Sequence, residues 1–305
     1  MPDPVIALDL GGTVIKGAVV GGDGSALIRR RAPTLREEDA EDIVLRLGTL
    51  AMELRDEAVR LGHAPAAAGV VIPGVVDEAA GIAVLAANLG WRDLPLKDRL
   101  QTRLGLPVAV GHDVRAGALA EARWGAAEGH PSFLFVPVGT GIGGSLVVDG
   151  RTYPGAHSLA VELGHIMIDP AGRPCGCGAR GCLETISSAT AVASGYRALS
   201  GEDGVDARGV AERAGRGDAA ARTVWDGAVE GLAAALATVV TLLDPGLVVI
   251  GGGLAGAGPA LFDPLIRSLH GRLTFQHRPE VVPAALADEA GALGAAILAW
   301  RLAGD

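Results

Sequence analysis

The chain is poor in aromatic residues, in cysteine and in long basic segments. Phe, Trp and Tyr make up 3% of its 305 residues, whereas 46 residues are glycine, which predicts many tight turns around a core of Ala, Val and Leu. The formal net charge is −9, and nucleic-acid binding needs a positive surface that displaces counterions. The composition therefore argues against nucleic acid as a partner. A chain of this length favours two domains with a substantial core.

Neither export nor membrane insertion is indicated by the sequence. The first four residues include no basic one, and a strand is predicted from Val5 onward, so we expect no signal peptide. The most apolar stretch, 232–250, is interrupted by Asp244 and Pro245, and it is too short on either side to span a bilayer. We therefore expect no membrane partner.

All three cysteines lie within eight positions, and this cluster is the most informative feature of the chain. Cys175, Cys177 and Cys182 follow His165, and three thiolates with one imidazole complete a tetrahedral zinc site. A disulfide fits poorly, because Cys175 and Cys177 are too close to bridge and an odd count leaves one thiol over. The alternative is a glycine-rich turn with incidental cysteines. Four protein ligands leave no open position for a reacting water, so we expect structural zinc and, with the thiols reserved for metal, a cytoplasmic protein.

The hydrophobic pattern predicts an α/β protein in which one unit occurs twice. In the first copy, strands are predicted at 5–10, 14–20, 26–30, 69–72 and 106–111, and helices at 37–61 and 113–127. The order of strand, glycine turn, strand, turn and strand recurs from Phe133. Helices then follow to about 243, with a strand at 247–250 and a closing helix from about 289 to 302.

This duplication predicts the domain boundaries. Residues 1–112, joined by the C-terminal helix 290–305, are expected to form a small α/β domain. Residues 113–289 are expected to form a large α/β domain with the zinc motif and the nucleotide site. If the two copies face each other, their glycine turns lie on a common cleft.

Three glycine turns at strand ends predict a split nucleotide site. Glycine lets backbone N–H groups approach an anion, Thr13 adds a hydroxyl, Lys16 adds a charge, and Asp9 offers a carboxylate to hydrated Mg²⁺. The candidate nucleotide-binding residues are Asp9, Gly11, Gly12, Thr13 and Lys16, then Gly139, Thr140, Gly141, Gly143 and Gly144, and finally Gly252 and Gly253. Taken alone, the first turn is equally consistent with a bare hairpin in which Asp9 is a capping residue.

Several carboxylates are placed where they can serve chemistry. Asp113 follows a strand and opens a helix, so it is either an N-cap or a catalytic carboxylate. Phosphoryl transfer needs one carboxylate to orient a hydroxyl and accept its proton. Glu162, His165 and Glu184 flank the metal segment and suit the hydroxyl groups of a sugar, although surface or supporting roles are the alternative. Asn88 adds an amide in a loop near Trp91.

Together these motifs resemble the ROK family (repressors, open reading frames, kinases), and within it the bacterial ATP-dependent glucokinases. The resemblance runs through Asp9-x-Gly-Gly-Thr-x-x-Lys16, Pro73-Gly74-x-x-Asp77, Asn88-x-x-Trp91, Gly139-Thr-Gly-x-Gly-Gly144, Glu162-x-Gly-His165, Cys175-x-Cys-Gly-x-x-Gly-Cys-x-Glu184 and Gly251-Gly-Gly253. It implies two actin-like (ribonuclease-H-like) α/β domains with an interdomain cleft that closes around sugar and ATP, usually in a homodimer.

The resemblance also implies residue roles. Asp113 corresponds to the base toward a sugar hydroxyl, and His165, Cys175, Cys177 and Cys182 correspond to zinc ligands. The implied sugar-binding residues are Asn88, His112, Asp113, Glu162, His165 and Glu184. Repressor members carry an N-terminal helix-turn-helix, for which the predicted strand at Val5 leaves no room.

Four positions depart from the family pattern. His112 and Arg115 stand where asparagines are usual, so His112 is expected to take the place of a sugar-binding amide. Val161 and Ser158 stand at usual glycine positions, and a β-branched residue restricts the backbone there. These departures lie in the predicted sugar-binding segments, so kinases for other hexoses remain an alternative.

The sequence thus predicts ATP- and Mg²⁺-dependent phosphorylation of a hexose at its 6-hydroxyl, with glucose favoured. A kinase for N-acetylmannosamine, N-acetylglucosamine or another hexose is the alternative, because Glu162 and Glu184 would meet the 1- and 2-substituents. A sugar-sensing protein without catalysis is the alternative from another class. The intact Asp9, Thr13 and Asp113 argue against it.

Overall fold

The computed structural model describes residues 2–35 and 37–304 and contains two compact α/β units. The first unit comprises Met1–Trp124, Pro154–Ala160 and Asp288–Asp305, and the second comprises Gly125–Tyr153 and Val161–Ala287. Each unit has its own hydrophobic core.

The elements follow one another in the order expected of an α/β protein. The strands are β1 (Val5–Leu10), β2 (Val14–Val20), β3 (Ala26–Pro33), β4 (Ala68–Ile72), β5 (Val75–Asp77), β6 (Ile82–Ala86), β7 (Trp91–Leu94), β8 (Val108–His112), β9 (Phe133–Pro137), β10 (Ser145–Val148), β11 (Arg151–Thr152), β12 (Leu247–Gly251) and β13 (Glu280–Pro283). The helices are α1 (Ala40–Arg60), α2 (Leu96–Leu104), α3 (Asp113–Trp124), α4 (Glu184–Ser187), α5 (Ala189–Ser200), α6 (Ala207–Gly215), α7 (Ala219–Leu243), α8 (Pro259–Arg272) and α9 (Ala290–Ala303).

The two units repeat one sheet topology. The first sheet has the order β3-β2-β1-β4-β8, and the second has the order β11-β10-β9-β12-β13. In each, the first three strands form an antiparallel meander, and the last two run parallel to the innermost strand of that meander. β4 and β12 are buried along their whole length, as expected of parallel strands covered on both faces. The mixed sheets and the duplication predicted from the sequence are both present.

Helix α1 shows how the apolar period produces the core of the first unit. It begins after Asp39, whose carboxylate accepts the backbone N–H of Asp42 at 3.0 Å. Ile43, Leu47, Leu50 and Leu54 form its buried stripe, as their spacing predicted. Leu61, which the sequence pattern also placed on this stripe, follows the end of the helix and is exposed.

The compact units differ from the predicted division at residue 112. The first unit continues through α3 to Trp124 because α3 packs against α9. The two helices approach closely at Gly294, where a Cβ would lie 2.2 Å from the backbone oxygen of Ala116. Residues 154–160 also belong to the first unit.

A three-stranded antiparallel sheet, β5-β6-β7, was not foreseen from the sequence. Its strands have three to five residues, too few for a period to stand out. Between β6 and β7, Ala87–Leu89 forms a 3-10 turn that carries Asn88. Trp91 opens β7 and is buried in the core of the first unit, so its ring lies in the core and not in a loop.

Helix α7 is long and apolar enough to span a membrane by length and composition alone. Half of its most apolar window is buried within the protein, and Trp225, Leu232 and Leu236 belong to the core of the second unit. This burial is typical of the central helix of a globular domain.

We expect Gly69→Ala to lower stability by about 1–3 kcal/mol, the usual cost of overpacking. A Cβ at Gly69 in β4 would lie 1.8 Å from the backbone oxygen of Ala295 in α9. Guanidinium unfolding would measure the effect. The matched control is Gly227→Ala in α7, where no atom lies within 4 Å of the added Cβ and stability should be kept or raised. Equal midpoints for the two variants would contradict the packing described here.

Candidate active site

The carboxylates of the first unit lie at one edge of its sheet. Strands β1, β4 and β8 are parallel, so their carboxyl ends meet at that edge. Asp9 lies near the end of β1, and Asp113 follows the end of β8. The two carboxylates are close enough that the charge of Asp113 contributes to raising the pKa of Asp9. The topology thus brings together two residues that are 104 positions apart in sequence.

In the first glycine turn, glycine allows other atoms to approach the backbone closely, and the backbone is not left-handed. Neither Gly11 nor Gly12 has a positive φ. The backbone N–H of Gly11 donates to the oxygen of Val14 at 3.1 Å. A Cβ on Gly12 would lie 3.4 Å from Nδ2 of Asn88. The turn therefore brings the Asn88 amide beside the predicted phosphate site.

Asp9 is a buried carboxylate in a mixed electrostatic environment. Its side chain is 15% exposed, and its Oδ2 lies 3.6 Å from Nζ of Lys16. Burial raises the pKa of Asp9 to about 6; Lys16 opposes this shift, whereas Asp113 and Asp288 add to it. Gly291 in the first turn of α9 makes room for the carboxylate, since a Cβ there would lie 2.6 Å from Oδ2.

Lys16 is held among carboxylates. Its Nζ donates to the side chain of Asp288, and also to the backbone oxygen of Asp288 at 3.1 Å. The sequence analysis did not identify Asp288 as a partner of Lys16. It lies in a 3-10 turn 272 residues beyond Lys16, and its only signal was an acidic position before the closing helix.

The second glycine turn is joined to Glu184. The backbone N–H of Ile142 donates to Glu184 Oε2 at 2.9 Å. A Cβ on Gly141 would lie 2.5 Å from the same oxygen, and one on Gly144 would lie 2.5 Å from the oxygen of Val161. Glycine is therefore required here for close approach. One oxygen of a residue predicted to bind sugar is already occupied in holding the predicted phosphate turn.

The third glycine turn packs on the second. Gly252 has a φ of 75°, and a Cβ there would lie 2.4 Å from the oxygen of Val138. The same oxygen accepts the backbone N–H of Leu254 at 3.0 Å. At Gly253, no atom lies within 4 Å of an added Cβ, so this glycine borders open space. Two of the three predicted nucleotide turns thus lie side by side in the second unit.

The cysteine cluster converges as its spacing predicted. The ligand atoms of His165, Cys175, Cys177 and Cys182 lie within 4.8 Å of one another. The Sγ atoms of Cys177 and Cys182 are 3.7 Å apart, and Cys175 Sγ is 3.7 Å from Nδ1 of His165. Tetrahedral zinc with Zn–S bonds of about 2.3 Å separates its sulfurs by about 3.8 Å. The donor set and its dimensions therefore fit zinc.

The surroundings of the cluster shift the pKa values of two of its thiols in opposite directions. Burial, together with the neighbouring thiols, raises the pKa of Cys182 to about 12. By contrast, the backbone N–H of Ala179 lowers the pKa of Cys177. A bound cation would reverse the shift at Cys182, since metal coordination deprotonates thiols.

The segment before the cluster contains backbone strain. Leu163–His165 forms a 3-10 turn in which the backbone N–H of His165 donates to the oxygen of Glu162 at 3.0 Å. Glu162 and His165 therefore share one turn. Ser158 and Val161 have φ values of 59° and 63°, in the left-handed region that non-glycine residues rarely adopt. Such positions cost about 1–3 kcal/mol each, and they cluster at functional sites.

His112, and not Asp113, accepts the cap hydrogen bond of α3. The backbone N–H of Arg115 lies 3.4 Å from Nδ1 of His112, three residues earlier, as in an N-cap. Asp113 Oδ1 accepts the backbone N–H of Val114 at 2.7 Å. Burial raises the pKa of Asp113 to about 6, although the Val114 hydrogen bond and the Arg115 charge oppose the shift. The carboxylate has the pKa of a base that works near neutral pH.

We expect Asp9→Asn to raise stability by about 1–3 kcal/mol at pH 8, and not at about pH 4. Because the pKa of Asp9 is higher in the folded protein than in the unfolded chain, the ionised carboxylate destabilises the fold. That cost is absent below the unfolded pKa and complete above the folded one. Thermal unfolding in magnesium-free buffer would measure it, with the exposed Asp3→Asn as control. A gain of equal size at both pH values would contradict the assignment.

Comparison with known proteins places this geometry in a family. Residues 5–301 match the ROK family. The chain is 35% identical to glucokinase from Thermotoga maritima over 98% of both chains. It is 33% identical to N-acetylmannosamine kinase from Shigella flexneri over 97% of this chain and 98% of that protein. It matches the structure of a ROK family glucokinase from Streptomyces griseus, in complex with glucose and AMPPNP, with a TM-score of 0.82 and 32% identity over 98% of this chain and 99% of that one. The chain therefore belongs to the ROK family, as its motifs predicted.

Proposed function

We propose that this protein is an ATP-dependent hexose kinase that phosphorylates the 6-hydroxyl, with glucose as the favoured substrate. The observation that carries the proposal is Asp113, a carboxylate with a pKa of about 6 at the sheet edge where Asp9 also lies. Near-full-length similarity to glucokinases supports both the reaction and the sugar.

In this mechanism, Asp113 orients the 6-hydroxyl and accepts its proton as the hydroxyl oxygen bonds to the γ-phosphorus of ATP. The bond from the γ-phosphorus to the bridging oxygen breaks, and ADP leaves with that electron pair. The transition state of phosphoryl transfer is loose, so the protein mainly positions the reactants and balances charge. A base of this kind contributes about 10²–10⁴-fold.

The other sugar hydroxyls would be held by Asn88, Glu162, His165 and Glu184. His165 directs Nδ1 to the cysteine cluster, which leaves Nε2–H as a donor toward a hydroxyl. Glu184 uses Oε2 to hold the backbone N–H of Ile142, so Oε1 is the oxygen available to the sugar.

The glycine turns would bind the nucleotide through their backbone N–H groups. Gly11, Gly12 and Thr13 of the first unit and Gly139–Gly144 of the second would bind phosphates, and Gly252 and Gly253 would bind the nucleoside. Mg²⁺ would neutralise charge on the phosphates. Asp9 suits it as a hard oxygen ligand, and a cation would relieve the burial of this carboxylate. Lys16 would remain paired with Asp9 and Asp288 and act on the phosphates at longer range.

Zinc at His165, Cys175, Cys177 and Cys182 would be structural. The cluster has four protein ligands, so it would fix the backbone between Glu162 and Glu184 without taking part in the reaction. Family similarity further supports two actin-like domains that close on sugar and ATP, a homodimer and a cytoplasmic location.

A kinase for N-acetylmannosamine is the second candidate. It is favoured by the 33% identity to N-acetylmannosamine kinase and by the departures at His112, Ser158 and Val161. A sensor without catalysis is disfavoured, since sugar binding alone requires neither a base at Asp113 nor the phosphate turns.

A coupled ADP assay across glucose, mannose, N-acetylglucosamine, N-acetylmannosamine and allose tests the proposal. We expect turnover to be highest with glucose, and kcat/KM to fall below about pH 6, where Asp113 becomes protonated. Asp113→Asn should lower kcat by about 10²–10⁴-fold. The exposed Asp149→Asn is the matched control and should keep wild-type kcat. Absence of ADP formation with every sugar would favour the sensor, and normal turnover in Asp113→Asn would remove its role as base.

Cys177→Ser should lose bound zinc, because serine is a poor zinc ligand. We expect the purified wild type to hold one zinc per chain by elemental analysis. The variant should hold much less and bind sugar more weakly. Cys177→His, which restores a ligand, is the matched control and should recover part of the metal. One equivalent of zinc retained by Cys177→Ser would refute the ligand assignment.

A further inference from the structure

We propose that His112 is a positioning residue that holds the carboxylate of Asp113 in the orientation needed to accept a proton. This inference rests on the proposed function, in which Asp113 is the base. It assigns to His112 a role through its neighbour, beyond the sugar contact that its position suggests.

His112 is packed inside the first unit. It is the last residue of β8 and is 9% exposed. Its backbone N–H donates to Glu78 Oε1 at 3.1 Å. Glycine at position 111 lets α9 pack against β8, since a Cβ there would lie 2.3 Å from the side chain of Leu298. The imidazole is therefore held by the end of a central strand, which is a rigid support.

The contacts of the imidazole define its tautomer. A backbone N–H can only donate, so Nδ1, which lies 3.4 Å from the amide nitrogen of Arg115, is the acceptor. The neutral ring then carries its hydrogen on Nε2, and Nε2 lies 3.4 Å from Asp113 Oδ1. The cap of α3 thus presents an N–H group to the neighbouring carboxylate.

Two nitrogen atoms lie near the same carboxylate oxygen. Asp113 Oδ1 accepts the backbone N–H of Val114 at 2.7 Å and lies 3.4 Å from Nε2 of His112. Oδ2 is the oxygen that neither donor occupies, so it is the one presented to a hydroxyl. Catalytic contacts of this length shorten when substrate closes the site. Because Val114 and His112 both restrict its side chain, Asp113 loses less orientational freedom on reaching the transition state.

Arg115 and Glu78 support this arrangement. Arg115 is buried; its Nε and Nη2 each lie 2.9 Å from Glu78 Oε1, the oxygen that also accepts the His112 amide. Its Nη1 donates to the backbone oxygen of Ser158 at 3.3 Å. The charged and titratable groups around Asp113 in this unit are thus Asp9, Glu78, His112 and Arg115. Arg115 neutralises Glu78, so the carboxylate of Glu78 does not oppose ionisation of Asp113.

Three variants of His112 and one control test the proposal by steady-state kinetics between about pH 5 and 9. His112→Ala removes cap and donor, and we expect kcat to fall about 10- to 100-fold with sugar KM within about 2-fold. The acid limb of kcat/KM should move to higher pH, because the carboxylate loses a donor that favours its ionised form. His112→Asn, whose amide can both accept and donate, should recover most of kcat, and His112→Phe should not. His130→Ala, an exposed histidine of the second unit, should match the wild type.

A double-mutant cycle separates the possible roles. If His112 acts through Asp113, His112→Ala should change kcat by less than about 2-fold when Asp113 is already asparagine. A higher sugar KM with unchanged kcat and acid limb would show a direct sugar contact and overturn the proposal. A lower melting temperature with unchanged kcat per folded molecule would show a structural role and also overturn it. Asp113→Asn alone tests the proposed base, so its failure is distinguished from failure at His112.

Discussion

The packing of α9 against the first sheet is the contact on which the geometry of that unit depends. The last helix of the chain lies so close to β4 that Gly69 and the backbone oxygen of Ala295 leave no room for a side chain. In its first turn, Gly291 gives space to the carboxylate of Asp9. The first turn of α9 thus helps to place Asp9. Because α9 also packs on β8 and α3, the strand and helix that meet at Asp113 are located by the same element.

In the second unit, Glu184 connects two parts of the structure, as α9 does in the first. It follows Cys182 by two residues, and its carboxylate accepts the backbone N–H of Ile142 in the second glycine turn. The metal segment is therefore joined to the predicted phosphate turn by one short hydrogen-bonded connection. Gly141 permits this contact by having no side chain. Ordering of the cysteine cluster by a bound metal would consequently order the turn as well.

The sequence predicted those features that depend on local spacing. The cysteine cluster, the α1 stripe and the repeated order of strands and glycine turns all appear within short windows, and all are present in the structure. It did not predict β5-β6-β7, whose strands are too short for a period, or the ion pair of Lys16 with Asp288, whose partners are far apart in sequence. Glycine permits both a positive φ and a close approach of other atoms, and the structure uses close approach at Gly11 and Gly141. Spacing alone cannot distinguish these two uses of glycine, because both require only a missing Cβ.

Three of the four departures from the family pattern, His112, Arg115 and Ser158, are connected in the structure. His112 and Arg115 belong to the same turn, and both contact Glu78 Oε1. Arg115 also holds the backbone oxygen of Ser158, a residue kept at positive φ without glycine. The guanidinium of Arg115 reaches two acceptors at once, Glu78 Oε1 and the backbone oxygen of Ser158. Arg115 therefore stabilises a strained backbone that a glycine would have adopted without cost, and the same residue anchors the turn that carries Asp113. Arg115→Asn alone would leave Ser158 strained and would remove the ion pair of Glu78, so we expect these positions to change together.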